Sequence, residues 1–186
     1  MNDFSFLSEN NDSEEFHFLY SKLKNLDVKI ANEFNRRISE LYTYTAIAEN
    51  PTDFNDEANR LNLFGKMSYG FRKAGEGYTW AKVLNKEYTR MLSETEADIK
   101  INEYPKWLQE QQKTDPKFKS TEDYKKTYVC TVDTYQNIMK LVILTDSMID
   151  EFATIRTELM QSISTIKAIC YGFRDSSVMS STAVGI

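Results

Sequence analysis

The chain has 186 residues, of which 41% are hydrophobic and 13% aromatic, so it can bury a core, and disorder of the whole chain is disfavoured. Only 6 Gly and 3 Pro interrupt it, too few turn-forming residues for a β-sandwich or a β-barrel. No window is apolar enough for a membrane span, and the N-terminus lacks the basic residues of a signal peptide, so a soluble cytoplasmic protein is expected.

The formal net charge of −5 is unevenly distributed. Residues 1–57 carry 12 acidic and 5 basic side chains, a net charge of −7. Residues 60–90 carry 7 basic and 2 acidic side chains, a net charge of +5. An acidic segment therefore precedes a basic one.

The first predicted helix spans residues 13–49. Asp12 or Ser13 can cap its first amides, and acidic residues follow in the first turn. Pro51 ends the helix, and Asp53 is placed to cap the next one. An apolar stripe at steps of three and four residues, with one stutter, consists of Phe16, Leu19, Leu23, Leu26, Ile30, Phe34, Ile38, Leu41 and Ala48.

The second predicted helix spans residues 53–104. Its heptad seam consists of Phe64, Met67, Phe71, Ala74, Tyr78, Ala81, Asn85, Tyr88, Leu92, Thr95 and Ile99. Glycine weakens a helix by up to about 1 kcal/mol relative to alanine. Because Gly75 and Gly77 lie close together, a kink or break is predicted near residues 75–77.

Pro105 opens a predicted polar connector over residues 105–119, which has room for a short helix before Pro116. A hydroxyl cap and an acidic first turn at residues 120–123 begin the third predicted helix, which spans residues 120–172. Gly172 is expected to end it in a left-handed cap and to leave a nearly uncharged tail over residues 175–186.

These elements predict an all-α fold of long antiparallel helices in a coiled-coil-like bundle, expected to be oligomeric. A single helical domain at residues 13–174 would lie between an N-terminal tail (1–12) and a C-terminal tail (175–186). Asn85 and Arg156 interrupt the seams and are expected to fix register. The predicted packing seam consists of Asn85, Tyr135, Val142, Ile149, Phe152, Arg156, Leu159, Ile163 and Ile166. The periodicity leaves open whether the helices pack within one chain or between chains.

The sequence offers little for catalysis or metal binding. Glu14 and His17 have the spacing of a metal-ligand pair in a helical bundle, but the chain has only 1 His, so the second ligand set is missing. The glycines at 70–77 lack the strand and the Gly-Lys-Ser/Thr of a phosphate loop. Cys130 and Cys170 are interpreted as free structural thiols. We expect no catalytic, metal or cofactor site, except where one is shared between subunits.

One group of residues has a functional interpretation. Cations that lie off the seam, interleaved with aromatic rings, are suited to single-stranded nucleic acid, because the cations neutralise phosphates and the rings stack on bases. The candidate residues are Lys66, Arg72, Lys73, Trp80, Lys82, Lys86, Arg90, Lys106, Trp107, Lys113, Lys117 and Lys119. Two alternatives are a plain solvated helix face and pairing with the acidic first helix.

The basic, aromatic helix, the Lys-rich connector, and Ser120 to Tyr124 opening a long Ile/Leu-rich helix resemble the phage recombination mediator proteins of the UvsY type. This resemblance implies a ring-forming helical protein of the host cytoplasm that binds single-stranded DNA and helps to load a recombinase. The leading hypothesis is therefore an oligomeric, non-enzymatic DNA-binding accessory protein. The alternative is a structural or scaffolding helical protein with protein partners, for example a virion component.

Overall fold

A computed structural model describes the backbone of residues 13–47 and 56–182, and the side chains of residues 26–45 and 56–171. The described backbone is helical and contains no strand, which confirms the all-α prediction. The helices are α1 (Ser13–Ile47), α2 (Glu57–Asp98), α3 (Tyr104–Thr114), α4 (Glu122–Thr131) and α5 (Asp133–Thr182), with a π turn at Ile99–Glu103. The predicted cap at Asp53 and both distal tails (1–12 and 183–186) lie outside the described residues.

The predicted seams are the buried faces of the helices. Every seam residue of α2 and α5 named above is buried or half-buried, as are the described members of the α1 stripe. The fully buried side chains include Met67 on α2 and Met148, Phe152 and Leu159 on α5. Contacts between these helices, such as the edge-on rings of Phe34 and Phe152 at 5.5 Å, occur within one chain. Packing within the chain therefore accounts for the periodicity.

The structure divides into two compact units. The first contains the described residues of Met1–Asn32 and Asn85–Leu144, and the second those of Glu33–Leu84 and Thr145–Ile186. The divisions fall inside α1, α2 and α5. In the first unit Asn85 Nδ2 donates a hydrogen bond to the Val142 carbonyl at 3.3 Å, and in the second unit Arg156 lies over the rings of Phe71 and Tyr78.

The predicted break in α2 at residues 75–77 is wrong, because α2 is unbroken from Glu57 to Asp98. Two of its glycines instead allow side chains of neighbouring helices to approach the α2 backbone closely. A Cβ on Gly77 would lie 2.6 Å from Phe152 Cζ, and a Cβ on Gly70 would lie 2.9 Å from Tyr44 Cβ. Asp56 precedes the first residue of α2, and its Oδ1 accepts a hydrogen bond from the Ala58 amide at 3.2 Å.

The short helix that the sequence allowed before Pro116 is present as α3, and it covers most of the predicted polar connector at residues 105–119. Proline has no amide hydrogen and clashes with the carbonyl four residues earlier in an α-helix. The chain avoids this clash because the helix widens into the π turn at Ile99–Glu103. The Tyr104 amide donates a hydrogen bond to the Ile99 carbonyl and so closes this turn. Pro105 then occupies the first turn of α3, where proline is tolerated.

The third predicted helix is two helices. Thr121 caps α4 as expected, with its side chain accepting from the Tyr124 amide at 3.2 Å. Val132 is extended (φ −76°, ψ 122°) and separates α4 from α5. The Gln136 side chain donates to the Cys130 carbonyl at 2.8 Å and so satisfies an acceptor at the end of α4. The predicted end at residue 172 is also wrong, because α5 continues to Thr182.

Candidate nucleic-acid interface

The cations of α2 in the second unit fall into two groups. Lys66 and Lys82 are exposed, and no carboxylate of the described residues lies within ion-pair distance of either. Arg72 and Lys73 share Glu76, at 3.9 Å and 3.1 Å. The Lys73 ammonium donates a hydrogen bond to the Glu76 carboxylate, and this hydrogen bond raises the pKa of Lys73. Lys66 and Lys82 are therefore the cations more readily available to a phosphate.

The basic residues of α2 in the first unit show the same contrast. Arg90 is held between two carboxylates, Glu87 at 2.5 Å and Glu94 at 2.6 Å. Its hydrogen bond to Glu87 lowers the pKa of that carboxyl group. Lys86 is exposed and has no carboxylate within ion-pair distance among the described residues. Of the two, Lys86 is the better candidate for phosphate binding.

Trp80, which the sequence suggested for base stacking, already has a partner. The Arg37 guanidinium lies 4.7 Å from the centre of its ring, and the tryptophan is half-buried. Arg37 is held in turn by Glu33, whose carboxylate lies 2.7 Å from the Arg37 Nε. One face of Trp80 is thus covered by a side chain of α1.

Two arginines of α1 that the sequence analysis did not select lie beside this surface. Arg36 and Arg37 line an open cleft of about 200 Å³ together with Lys73 and the carboxylates of Glu40 and Glu76. Hydrogen bonds from Arg36, and then from Arg37, lower the pKa of Glu33 to about 2. The adjacent pair of arginines inside an acidic segment was the sequence signal for this contribution, and the net charge of the segment concealed it.

The acidic first helix does not pair with the basic second helix in the part of the chain whose side chains are described. Each described ion pair joins two residues three or four positions apart in sequence, within α1, within α2, between α2 and the π turn, or within α4. Such pairs contribute a few tenths of a kcal/mol to helix stability. Lys66, Lys82 and Lys86 of α2 are therefore exposed and have no carboxylate partner among the residues that the structure describes.

The remaining candidate cations lie on α3 and in the loop that follows it. Lys106, Lys113, Lys117 and Lys119 are all exposed. None has a carboxylate within ion-pair distance among the described side chains. The sequence suggested these lysines, and the structure places them on the surface of the first unit.

Trp107 is half-buried in an aromatic cluster and is not an open stacking surface. Its ring centre lies 5.5 Å from that of Tyr104, 5.1 Å from that of Tyr128 and 5.9 Å from that of Phe118. The exposed ring of this region is Tyr124, which lies 5.0 Å from Phe118 and retains 48% of its surface. Sequence reasoning used Tyr124 only as part of a helix start and missed its position on the surface.

Other kinds of site find no support among the described residues. No group of three His, Cys, Asp or Glu side chains there could hold a metal ion. The side chains of Glu14 and His17 lie outside the described part. Cys130 and Cys170 are free, but Cys130 is exposed, so the structural role expected for it is not supported. No described helix combines the length and the apolar character needed to cross a membrane.

No protein-family model matches the chain, and comparison with the curated proteins and with the solved structures gives no significant match.

Proposed function

We propose that this protein is a non-enzymatic accessory protein that binds single-stranded DNA, in the manner of a recombination mediator. The proposal is supported above all by the exposed lysines that have no carboxylate partner among the described residues. These are Lys66, Lys82, Lys86, Lys106, Lys113, Lys117 and Lys119. A phosphate that approaches such a lysine displaces water and small ions but does not have to break an ion pair within the protein.

The test is fluorescence anisotropy of a labelled single-stranded oligonucleotide, titrated at low and at moderate salt, with a duplex of equal length for comparison. Binding should favour the single strand and should weaken steeply with salt, because each neutralised phosphate releases a counterion. An absence of binding at low salt would contradict the proposal.

The site is tested by changing Lys66, Lys82 and Lys86 together to Glu. Affinity should fall by at least about tenfold, and the slope of log K against log salt should become shallower by about 2 to 3 units. The matched control changes Lys29, Lys140 and Lys167 to Glu, which alters the net charge equally at exposed lysines outside the proposed interface. Equal losses in both triple variants would show that only net charge matters and would remove the α2 lysines from the site.

The alternative function is that of a structural or scaffolding protein that assembles with itself or with other proteins. Several large apolar side chains are exposed, among them Leu61 (64%), Met160 (60%) and Tyr171 (65%) in the second unit. Exposed apolar residues that cluster on a surface are a feature of contact sites. Light scattering coupled to gel filtration tests this alternative. A stable oligomer that does not bind oligonucleotides would favour it over the DNA-binding proposal.

A further inference from the structure

A continuous series of aromatic rings leads from the core to the surface around the loop between α3 and α4. Tyr104 and Trp107 lie on α3, Phe118 in the loop and Tyr124 on α4. Tyr104, at the inner end, is only 3% exposed. Trp107 contacts it, Phe118 meets Trp107 edge-on at 5.9 Å, and Tyr124 lies 5.0 Å beyond Phe118. The inner side of the Tyr124 ring therefore packs against the aromatic cluster and is not in contact with solvent there.

Hydrogen bonds hold the loop in place around these rings. The Tyr104 hydroxyl lies 2.7 Å from the Ser120 hydroxyl, and the Gln112 side chain donates to the Phe118 carbonyl at 3.3 Å. Asp115 accepts from the Lys117 amide at 3.0 Å through its side chain. Its carbonyl accepts from the Phe118 amide at 2.9 Å. A loop that is fixed in this way loses little conformational entropy when it binds a ligand.

The loop separates its charged and aromatic side chains. Phe118 is half-buried against Trp107, whereas its neighbours Lys117 and Lys119 are exposed. Of the nearby acidic groups, Asp115 is engaged in the turn and Glu122 is paired with Lys125 at 3.0 Å, whereas Asp123, next to Tyr124, is exposed. The exposed ring of Tyr124, in the first turn of α4, thus follows the two exposed lysines of the loop closely in sequence.

We propose that Tyr124 stacks on a base of single-stranded nucleic acid, while Lys117 and Lys119 contact the adjoining phosphates. This inference rests on the proposed function and locates its base-stacking site at the α3–α4 loop, in place of Trp80 and Trp107. A flat, supported ring stacks on any base, so the contact does not depend on nucleotide sequence. Neighbouring cations add the electrostatic part of the affinity.

The same loop is poorly suited to insertion into a lipid bilayer. Insertion requires an apolar side chain that projects outward, as interfacial segments provide with Trp, Phe or Leu. Here Phe118 packs inward on Trp107, and the side chains that project beside it are lysines. The observations therefore favour nucleic acid over an anionic membrane surface.

The first experiment is photo-crosslinking of the full-length protein to an oligothymidylate in which single thymines are replaced by 5-iodouracil, followed by mass spectrometry of the peptides. We expect the crosslink at Tyr124. Anisotropy at moderate salt should show at least about a fivefold loss of affinity for Tyr124→Ala, and a change of no more than about twofold for Tyr124→Phe, which keeps the ring. The control is Tyr171→Ala, which removes an exposed tyrosine on α5 and should leave affinity unchanged.

The outcomes separate this inference from the proposed function. If the wild-type protein binds the oligonucleotide but Tyr124→Ala binds equally well and the crosslink lies elsewhere, the stacking site is wrong and DNA binding stands. If the wild-type protein does not bind, both fail. Binding to phosphatidylserine vesicles that is lost on changing Lys117 and Lys119 to Glu, without oligonucleotide binding, would overturn both in favour of a membrane surface. Far-UV circular dichroism checks that each variant is folded.

Discussion

At the scale of single residues, Tyr88 is the least expected member of the buried seam. Its side chain is 2% exposed, and its hydroxyl has no hydrogen-bond partner among the described residues. Burying an unpaired hydroxyl costs on the order of 1 to 3 kcal/mol. Tyr88→Phe should therefore raise the free energy of unfolding by about 1 kcal/mol or more, as measured by urea denaturation at pH 7. A clear loss of stability would mean that the hydroxyl is paired.

The same residue predicts a pH dependence. Burial raises the pKa of Tyr88 to about 12 from an ordinary value of 10.0. Because the folded pKa is the higher one, its contribution to stability is complete below pH 10 and is lost as the pH rises toward 12. Circular dichroism during alkaline titration should show unfolding over this range, and Tyr88→Phe should shift it to higher pH. Tyr42, Tyr128 and Tyr135 also have raised pKa values, so the comparison with the variant is what isolates Tyr88.

At the scale of the elements, α2 contains a matched pair of glycines. A Cβ at Gly77 would overlap Phe152, whereas a Cβ at Gly65 would have no atom within 4 Å. Gly65→Ala should stabilise the protein by about 1 kcal/mol through helix propensity. Gly77→Ala should destabilise it by about 1 to 3 kcal/mol, because overpacking outweighs that gain. Chemical denaturation measures both, and effects of equal sign would refute the close contact at Gly77.

The elements also show where sequence reasoning succeeds and fails. Spacing of three and four residues identified the buried faces of α2 and α5, because burial in a helical bundle requires that period. The break at Val132 was missed because Thr131, Val132 and Asp133 carry no Gly or Pro signal. Gly75 and Gly77 suggested a break because propensity alone does not reveal that Phe152 requires the missing Cβ.

At the scale of the whole molecule, the seam of α5 is occupied by the chain itself. Phe152 is 0% exposed and contacts Phe34 of α1 and the Gly77 turn of α2. Phe152→Asp would bury an unpaired charge and should unfold the second unit rather than separate folded subunits. Far-UV circular dichroism and gel filtration distinguish these results. Loss of an oligomer with full retention of helix would show that this face lies between chains.

The candidate interface was only partly predictable from the sequence. The exposed lysines could be selected because they lie off the seam, and exposure follows helical phase. Their pairing follows from helical spacing as well, because Arg90 and Lys73 have acidic neighbours three positions away, whereas Lys66 and Lys82 have none at three or four. Which rings are free depends on tertiary contacts such as Arg37 on Trp80, and no local pattern specifies these.

The π turn before Pro105 has a consequence for the lengths of chain that this fold accepts. A π turn contains one residue more per hydrogen-bonded turn than an α-helix, and here it separates the buried Ile99 from the buried Tyr104 by five positions instead of four. Ile101, in the middle of the turn, is 71% exposed. Loss of Ile101 together with Pro105→Ala would restore ordinary α-helical spacing and keep both buried residues on one face. Relatives of this protein that are one residue shorter here should therefore lack the proline, and those that keep the proline should keep the extra residue.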